Sequence, residues 1–167
     1  MDIKCIRNIV KTFWLVLALF IAGCYSKRIQ PIYQLNSYFA GSLLNYNNPI
    51  LIKDYVLAII DSKGQKRMQL IDLKRKKIIP MQEINSLNSQ VISASFSSQA
   101  DKIAFIVNES NKNKLYIFNR KKKNIRSIDL SPAGVPVSVT LSASGKTMAI
   151  QVIRNGKNVI DIMQLIN

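Results

Sequence analysis

The stretch SFSSQADKIAFIV (residues 95–107) decides the fold, because the chain repeats it as TLSASGKTMAIQV (residues 140–152). Phe96 falls on Leu141, Ser97 on Ser142, Ala100 on Gly145 and Ala104 on Ala149, a shift of 45 residues each time. The register runs on without a gap, so that Leu115, Tyr116, Ile117 and Phe118 fall on Ile160, Asp161, Ile162 and Met163. A weaker copy lies upstream. There, Tyr55 to Ile60 and Met68 to Leu73 stand 46 to 47 residues before their counterparts, without the turn motif. Each unit alternates short β-type runs with polar turns, and no helical periodicity is visible beyond the N-terminus. A period near 45 with four short strands per unit is the pattern of propeller blades. An antiparallel sandwich with evenly spaced hairpins is the plainer alternative, and the repeat discriminates against it.

The expected fold is therefore all-β: about three four-stranded antiparallel propeller-like blades over residues 50–167, after an N-terminal signal helix. Closed propellers typically have four to eight blades, so three are too few for a ring. The third unit also reads as ending at its third strand. Residues 29–35 or 38–44 are the candidates to supply a fourth. Two arrangements follow: a partial propeller whose edges are covered by the lead-in segment or a partner, or half of a homodimeric ring. An uncovered edge would invite aggregation.

The repeat unit resembles the TolB-like WD-repeat family, whose usual core is an aromatic, then Ser-Pro-Asp-Gly-Lys, then a strand ending Ile-Ala-Phe. Phe96, Ser97, Lys102, Ile103, Ala104 and Phe105 fit that pattern, while Ser98, Gln99 and Ala100 replace Pro, Asp and Gly. The third copy keeps Ser142, Gly145, Lys146 and Ala149, with Leu141 in place of the aromatic. The resemblance implies a six-bladed ring like that of TolB if two chains combine. It also implies a non-catalytic binding or scaffold module with envelope proteins as partners.

The N-terminus reads as an export signal. MDIKCIRNIVK carries three basic residues and one acid, and TFWLVLALFIAG follows, uncharged and mostly apolar. A basic segment, a short apolar run and small residues at its end make a secretory signal. The twelve residues from Thr12 to Gly23 would span about 18 Å as a helix, short of the roughly 30 Å hydrocarbon core. Ile21-Ala22-Gly23-Cys24 resembles the lipobox of bacterial lipoproteins. That resemblance implies cleavage between Gly23 and Cys24 and a diacylglycerol on the Cys24 sulfur. Two or more acyl chains suffice for stable anchoring, at about 0.8 kcal/mol per buried methylene. The expected divisions are a signal peptide over 1–23, a lipidated tether and lead-in segment over 24–49, and the repeat domain over 50–167. The expected location is the periplasmic side of the bacterial envelope. Tyr25, standing where an Asp would favour the inner membrane in familiar lipoproteins, leans it toward the outer membrane.

Charge belongs to the repeat domain. The formal net charge is +15. Lys4, Arg7 and Lys11 against Asp2 account for +2 of it, leaving +13 on residues 24–167. Two runs occupy equivalent places after third strands: Lys74, Arg75, Lys76, Lys77 and Arg120, Lys121, Lys122, Lys123. Strands alternate direction, so these turns share one end with the first-to-second turns that hold Lys102 and Lys146. This predicts a basic face for an anionic partner: lipid headgroups, an envelope polymer or an acidic protein. The plain reading is solvated hairpin tips whose lysines discourage edge pairing. Nucleic acid is a poor partner for an exported protein.

The composition narrows the chemistry. There is no histidine, which removes the commonest general base, the Ser-His-Asp triad and most zinc-enzyme ligand sets. Cys5 and Cys24 both precede the domain, so no disulfide staples its core. The acids show no metal-ligand or glycosidase-like spacing, and no phosphate loop or nucleophile elbow is present. The expectation is a non-enzyme without metal or cofactor beyond the lipid on Cys24. A hydrolase or carbohydrate-processing accessory on a blade-type scaffold is the rival reading, and a non-specific binder of anionic membrane surfaces is the third.

Overall fold

The same turn is built twice, with the same hydrogen bonds. In the first instance the Ser97 amide donates to the Lys102 carbonyl at 3.0 Å and the Ala100 amide to the Ser97 carbonyl at 2.7 Å. The Lys102 amide closes the turn on the Ser97 hydroxyl at 3.1 Å. Forty-five residues later, Ser142, Gly145 and Thr147 repeat all three bonds, at 2.8, 2.8 and 3.1 Å. Ala100 and Gly145 both stand at positive φ, 51° and 65°. That conformation suits glycine, so the third unit carries the better residue. The serine is what fixes the turn: its hydroxyl takes the place of a backbone acceptor, as short polar side chains do in turns.

These turns belong to a computed structural model that describes residues 36, 39–40, 44–62, 64–87 and 89–165. The signal segment, Gly23, Cys24 and nearly all of the tether lie outside the described residues. Residues Tyr38–Asn167 form one compact unit. Its architecture is three antiparallel sheets in sequence, as expected. Blade 1 is β1 (Asn45–Ile52), β2 (Tyr55–Ser62), β3 (Gln65–Asp72) and β4 (Lys77–Ile79). Blade 2 is β5 (Gln90–Phe96), β6 (Lys102–Glu109), β7 (Lys112–Asn119) and β8 (Asn124–Ile128). Blade 3 has three strands among the described residues: β9 (Val135–Leu141), β10 (Thr147–Arg154) and β11 (Lys157–Gln164).

Three details depart from the sequence reading. Strand β1 begins at Asn45, so the first blade reaches into the segment expected to be tether. Its Asn-rich start pairs through Asn45 with Asp61 and Asn47 with Ile59, with a bulge before Ile50. Phe39 and Ala40 are helical, not extended as expected, and the rest of the 38–44 candidate except Leu44 lies outside the described residues. A short helix α1 (Gln82–Asn85) joins blades 1 and 2. It packs Ile84 into the core, and the Asn85 carboxamide bonds both the amide and the carbonyl of Met68, at 3.0 and 2.9 Å. One turn is too short to show helical periodicity. The uneven upstream shift also has a cause. Leu51 pairs with Val56 across a short turn, while Phe96 pairs with Ile103 across one two residues longer.

The core comprises two layers between sheets. Leu57, Ile59, Met68 and Leu70 of blade 1 meet Phe96, Ile103, Phe105, Val107 and Phe118 of blade 2. Ala104, Ile106, Leu115 and Ile117, on the other face of blade 2, meet Val139, Leu141, Met148, Ile150 and Val152 of blade 3. Strand β6 thus buries alternate residues on both faces, which is why KIAFIVNE reads as a nearly continuous apolar run. Each buried Ile, Val or Phe there contributes about 1.5–3 kcal/mol. Hydrogen bonds lock the second layer. The Val139 and Leu141 amides donate to the Ser93 and Ser95 hydroxyls, at 3.2 and 2.9 Å. The Ser98 amide donates to the Ala143 carbonyl at 2.8 Å.

Candidate anion-binding rim

Antiparallel pairing brings the first-to-second and third-to-fourth turns of each blade to one end. Three equivalent backbone bonds tie them: Leu73 to the Asp54 carbonyl, Arg120 to Asp101 and Leu165 to Lys146, at 2.8, 2.8 and 2.7 Å. Both basic runs therefore lie on the rim that carries Lys53, Lys102 and Lys146. Lys74, Arg75, Lys76 and Lys77 are exposed, as are Lys121, Lys122 and Lys123.

Side-chain carboxamides and carboxylates shape these turns. Asp72 is buried and accepts the Arg75 amide at 2.9 Å. Asn119, its counterpart, accepts the Lys122 amide at 3.1 Å. Two acids on this rim, Asp72 and Asp101, are thus engaged within it. Asp101 accepts the Ser97 hydroxyl and stands 3.8 Å from Lys121. Burial would raise the Asp101 pKa, yet the Ser97 hydroxyl, nearby backbone amides and Lys121 together hold it below the usual carboxylate value.

The runs do not act as eight equal cations. Arg120 is half-buried and structural: its guanidinium donates to the Ala100 carbonyl at 2.6 Å and to the Gln99 carbonyl at 3.3 Å, bracing the β5–β6 turn. Arg75 lies 3.9 Å from the Asp72 carboxylate. The other members project from the rim.

Beside the second run, between blades 2 and 3, lies a pocket of about 140 Å³. Lys102, Lys122 and Arg126 line it with Asn119 and Asn124, and no carboxylate does. Three cations with amide donors suit an anionic group such as a phosphate or carboxylate. The sequence reading placed Lys102 and Lys122 on this face but missed Arg126, Asn119 and Asn124. Asn124 and Arg126, two apart on a strand, share a face, and that spacing was the available signal.

On the other end, the cations are partly paired. Lys114 bonds Glu109, which raises the lysine pKa, first by the hydrogen bond and then by charge. Arg154 forks onto Asp161, with one contact at 2.9 Å, and the pair holds the Asp161 pKa below its usual value. A cavity of about 530 Å³ opens there near Lys66, Arg67 and Asn111. Several of its carboxamides bond within the protein, Asn85 to Met68 and Asn108 to Asn113 among them. Among the described residues, no helix is long and apolar enough to cross a membrane.

No protein-family model matches the chain, and no curated protein does. Solved structures do match. TolB from Acinetobacter baumannii superposes with a TM-score of 0.52 at 16% identity, over 72% of this chain and 32% of that one. The β-propeller domain of Cps50 (Swd1) from Myceliophthora thermophila gives 0.51 at 12% identity, over 72% and 40%. The propeller domain of the trilobed protease from Pyrococcus furiosus, which has an open velcro topology, gives 0.52 at 14%, over 72% and 39%. The chain has the propeller-blade fold. It spans between about a third and two fifths of the length of these propeller structures.

Proposed function

We propose that this chain is an exported lipoprotein, cleaved between Gly23 and Cys24 and lipidated on Cys24, whose blades form a non-catalytic scaffold for an anionic partner. The observation that carries the binding part is the placement of both basic runs on one rim, next to an acid-free pocket lined by Lys102, Lys122 and Arg126. A lipid tether at Cys24 would keep that rim near an anionic surface, where each exposed lysine or arginine contributes about 1 kcal/mol. The partner is an anionic component of the envelope, a headgroup or polymer, or an acidic face of an envelope protein. A blade fold hosts many roles, so the charge and the tether, not the fold, support this reading.

Two tests separate its parts. Feeding cells a radioactive fatty acid should label the wild-type chain and leave Cys24→Ser unlabelled; an unlabelled wild type removes the anchor. For the rim, the detergent-solubilised full chain is titrated with phosphatidylglycerol vesicles and with neutral phosphatidylcholine vesicles. Binding to the anionic vesicles should fall at least tenfold when Lys74, Lys76, Lys77, Lys121, Lys122 and Lys123 become Gln, and should weaken steeply with salt. Arg120 is left in place because it braces a turn. Equal binding to both lipids, or binding indifferent to these substitutions, rejects the rim as the docking surface.

A further inference from the structure

The joint between blades 1 and 2 and the joint between blades 2 and 3 differ at one end. On the face that blade 2 turns to blade 3, Lys102 pairs with Asn119 and Asn119 with Asn124, one row across three strands. Ile117 and Arg126 pair in the next row of that face. Blade 1 repeats the register. Tyr55, Asp72 and Lys77 form its row, with Leu70 and Ile79 in the next. There the space is filled, since Tyr55 and Ile79 pack against the apolar layer and Asp72 is buried.

From blade 1 to blade 2, Lys102 thus takes the place of Tyr55, Asn119 of Asp72, Asn124 of Lys77 and Arg126 of Ile79, while Lys122 follows Arg75. One acid and two cations become three cations and two carboxamides, on a face that packs as core in the other joint. A solvated hairpin tip has no need of that exchange. The result is the pocket of about 140 Å³, with Ile117 and Leu165 as its apolar floor. Blade 3 sets its far side. The Leu165 amide is tied to the Lys146 carbonyl, and a β-carbon on Gly145 would stand 3.2 Å from Lys102 Cδ, so the lysine stem lies against that glycine.

We infer that this pocket takes one tetrahedral phosphate dianion, the terminal phosphate of a phosphomonoester. The inference rests on the reading of this rim as an anion-docking surface and names the group that the rim selects. Donors come from three sides: the carboxamides of the row, Arg126 from the row behind and Lys122 from the β7–β8 turn. That arrangement suits the three free oxygens of a terminal phosphate better than the two of a planar carboxylate. Asn119 is oriented to donate, because its carboxamide oxygen already accepts the Lys122 amide at 3.1 Å. Charge separates the esters. A phosphomonoester carries about −1.5 to −2 at pH 7, a diester only a single negative charge, and three cations favour the former. The volume admits the phosphate alone, so its substituent points out of the mouth. Soluble and lipid-borne phosphomonoesters share this chemistry.

The test uses the full chain in mild detergent, labelled with nitrogen-15 and titrated with glycerol 3-phosphate. The Arg126 Nε–H and the Asn119 and Asn124 carboxamide signals should shift and saturate. Arg126→Gln should weaken binding by about tenfold or more, the effect of losing one charge-assisted hydrogen bond. Its circular dichroism spectrum should not change, since Arg126 is exposed. Lys157→Gln, on the other end of blade 3, should leave binding unchanged. Dimethyl phosphate, a diester, should bind about tenfold more weakly than glycerol 3-phosphate. Vesicles distinguish the source. If it is lipid, Arg126→Gln reduces binding to phosphatidic acid vesicles and spares binding to phosphatidylglycerol vesicles; if it is soluble, the variant changes neither, and the glycerol 3-phosphate result stands. Three outcomes overturn the inference: no saturable shift at these groups, equal binding of the diester, or indifference to Arg126→Gln. Such a failure, with vesicle binding that still depends on the exposed lysines, leaves the rim standing. Saturable glycerol 3-phosphate binding by a chain that ignores anionic vesicles supports the pocket and removes the rim as a membrane-docking surface.

Discussion

Ile117 in blade 2 and Ile162 in blade 3 are the same residue at the same repeat position, yet one is 8% exposed and the other 68%. Leu115 and Ile160 differ likewise, at 2% and 64%. Local sequence does not distinguish them; the neighbour does. Among the described residues, blade 2 has a sheet on each face, and blade 3 has one on the side of blade 2 alone. The serine hydroxyls tell the same story, since Ser95 is buried under a β9 amide while Thr140, its counterpart, is exposed. A repeat protein writes one interface into every unit, and position in the stack decides which copies are used.

The largest effect should come from the doubly covered strand. Phe105→Ala should lower stability by about 3–5 kcal/mol in urea denaturation, because β6 leaves little room for collapse around the cavity. The sharper comparison is between counterparts. Ile117→Ala should cost about 2–4 kcal/mol, whereas Ile162→Ala should stay within about 0.5 kcal/mol for the single chain. An equal cost would break the comparison. Next is the repeated turn. Gly145→Ala should cost about 1–2 kcal/mol, because a β-carbon there meets the Ser97 β-carbon at 3.1 Å and the φ is positive. Ala100→Gly should be nearly neutral, as relief of the left-handed backbone offsets about 0.8 kcal/mol from the lost buried methyl. Smaller again, Ser95→Ala should cost about 1 kcal/mol by orphaning the Leu141 amide, with Thr140→Ala costing far less.

The smallest effect is one of pH. The folded Asp101 pKa is lowered, against the pull of burial, by Ser97, backbone amides and Lys121. Its contribution is therefore complete above the unfolded value near 3.8 and is lost as pH falls through the lower folded value. The equivalent residue in blade 3 is Lys146, so amide exchange at the β5–β6 turn should quicken in acid relative to the β9–β10 turn. Asp101→Asn should abolish that difference.

Much of this was legible in the residues. The gapless register of blades 2 and 3, the strand order and the shared end of the basic runs all follow from period and alternation. Two features were hidden for physical reasons. Asn45 and Asn47 carry no apolar alternation, yet they pair because β2 offers an edge. Arg120 looks like one more solvated cation, and only the folded turn shows its guanidinium on the Ala100 and Gln99 carbonyls. Which faces stay open was likewise invisible, because Ile117 and Ile162 are written with the same letter.

Amide hydrogen exchange resolved by strand tests the central claim most directly. A central blade clamped between two others predicts the slowest exchange in β6 (Lys102–Glu109), with faster exchange at the outer strands β4 and β8. Slowest exchange in blade 1 or blade 3, or uniform protection across the three sheets, would contradict it.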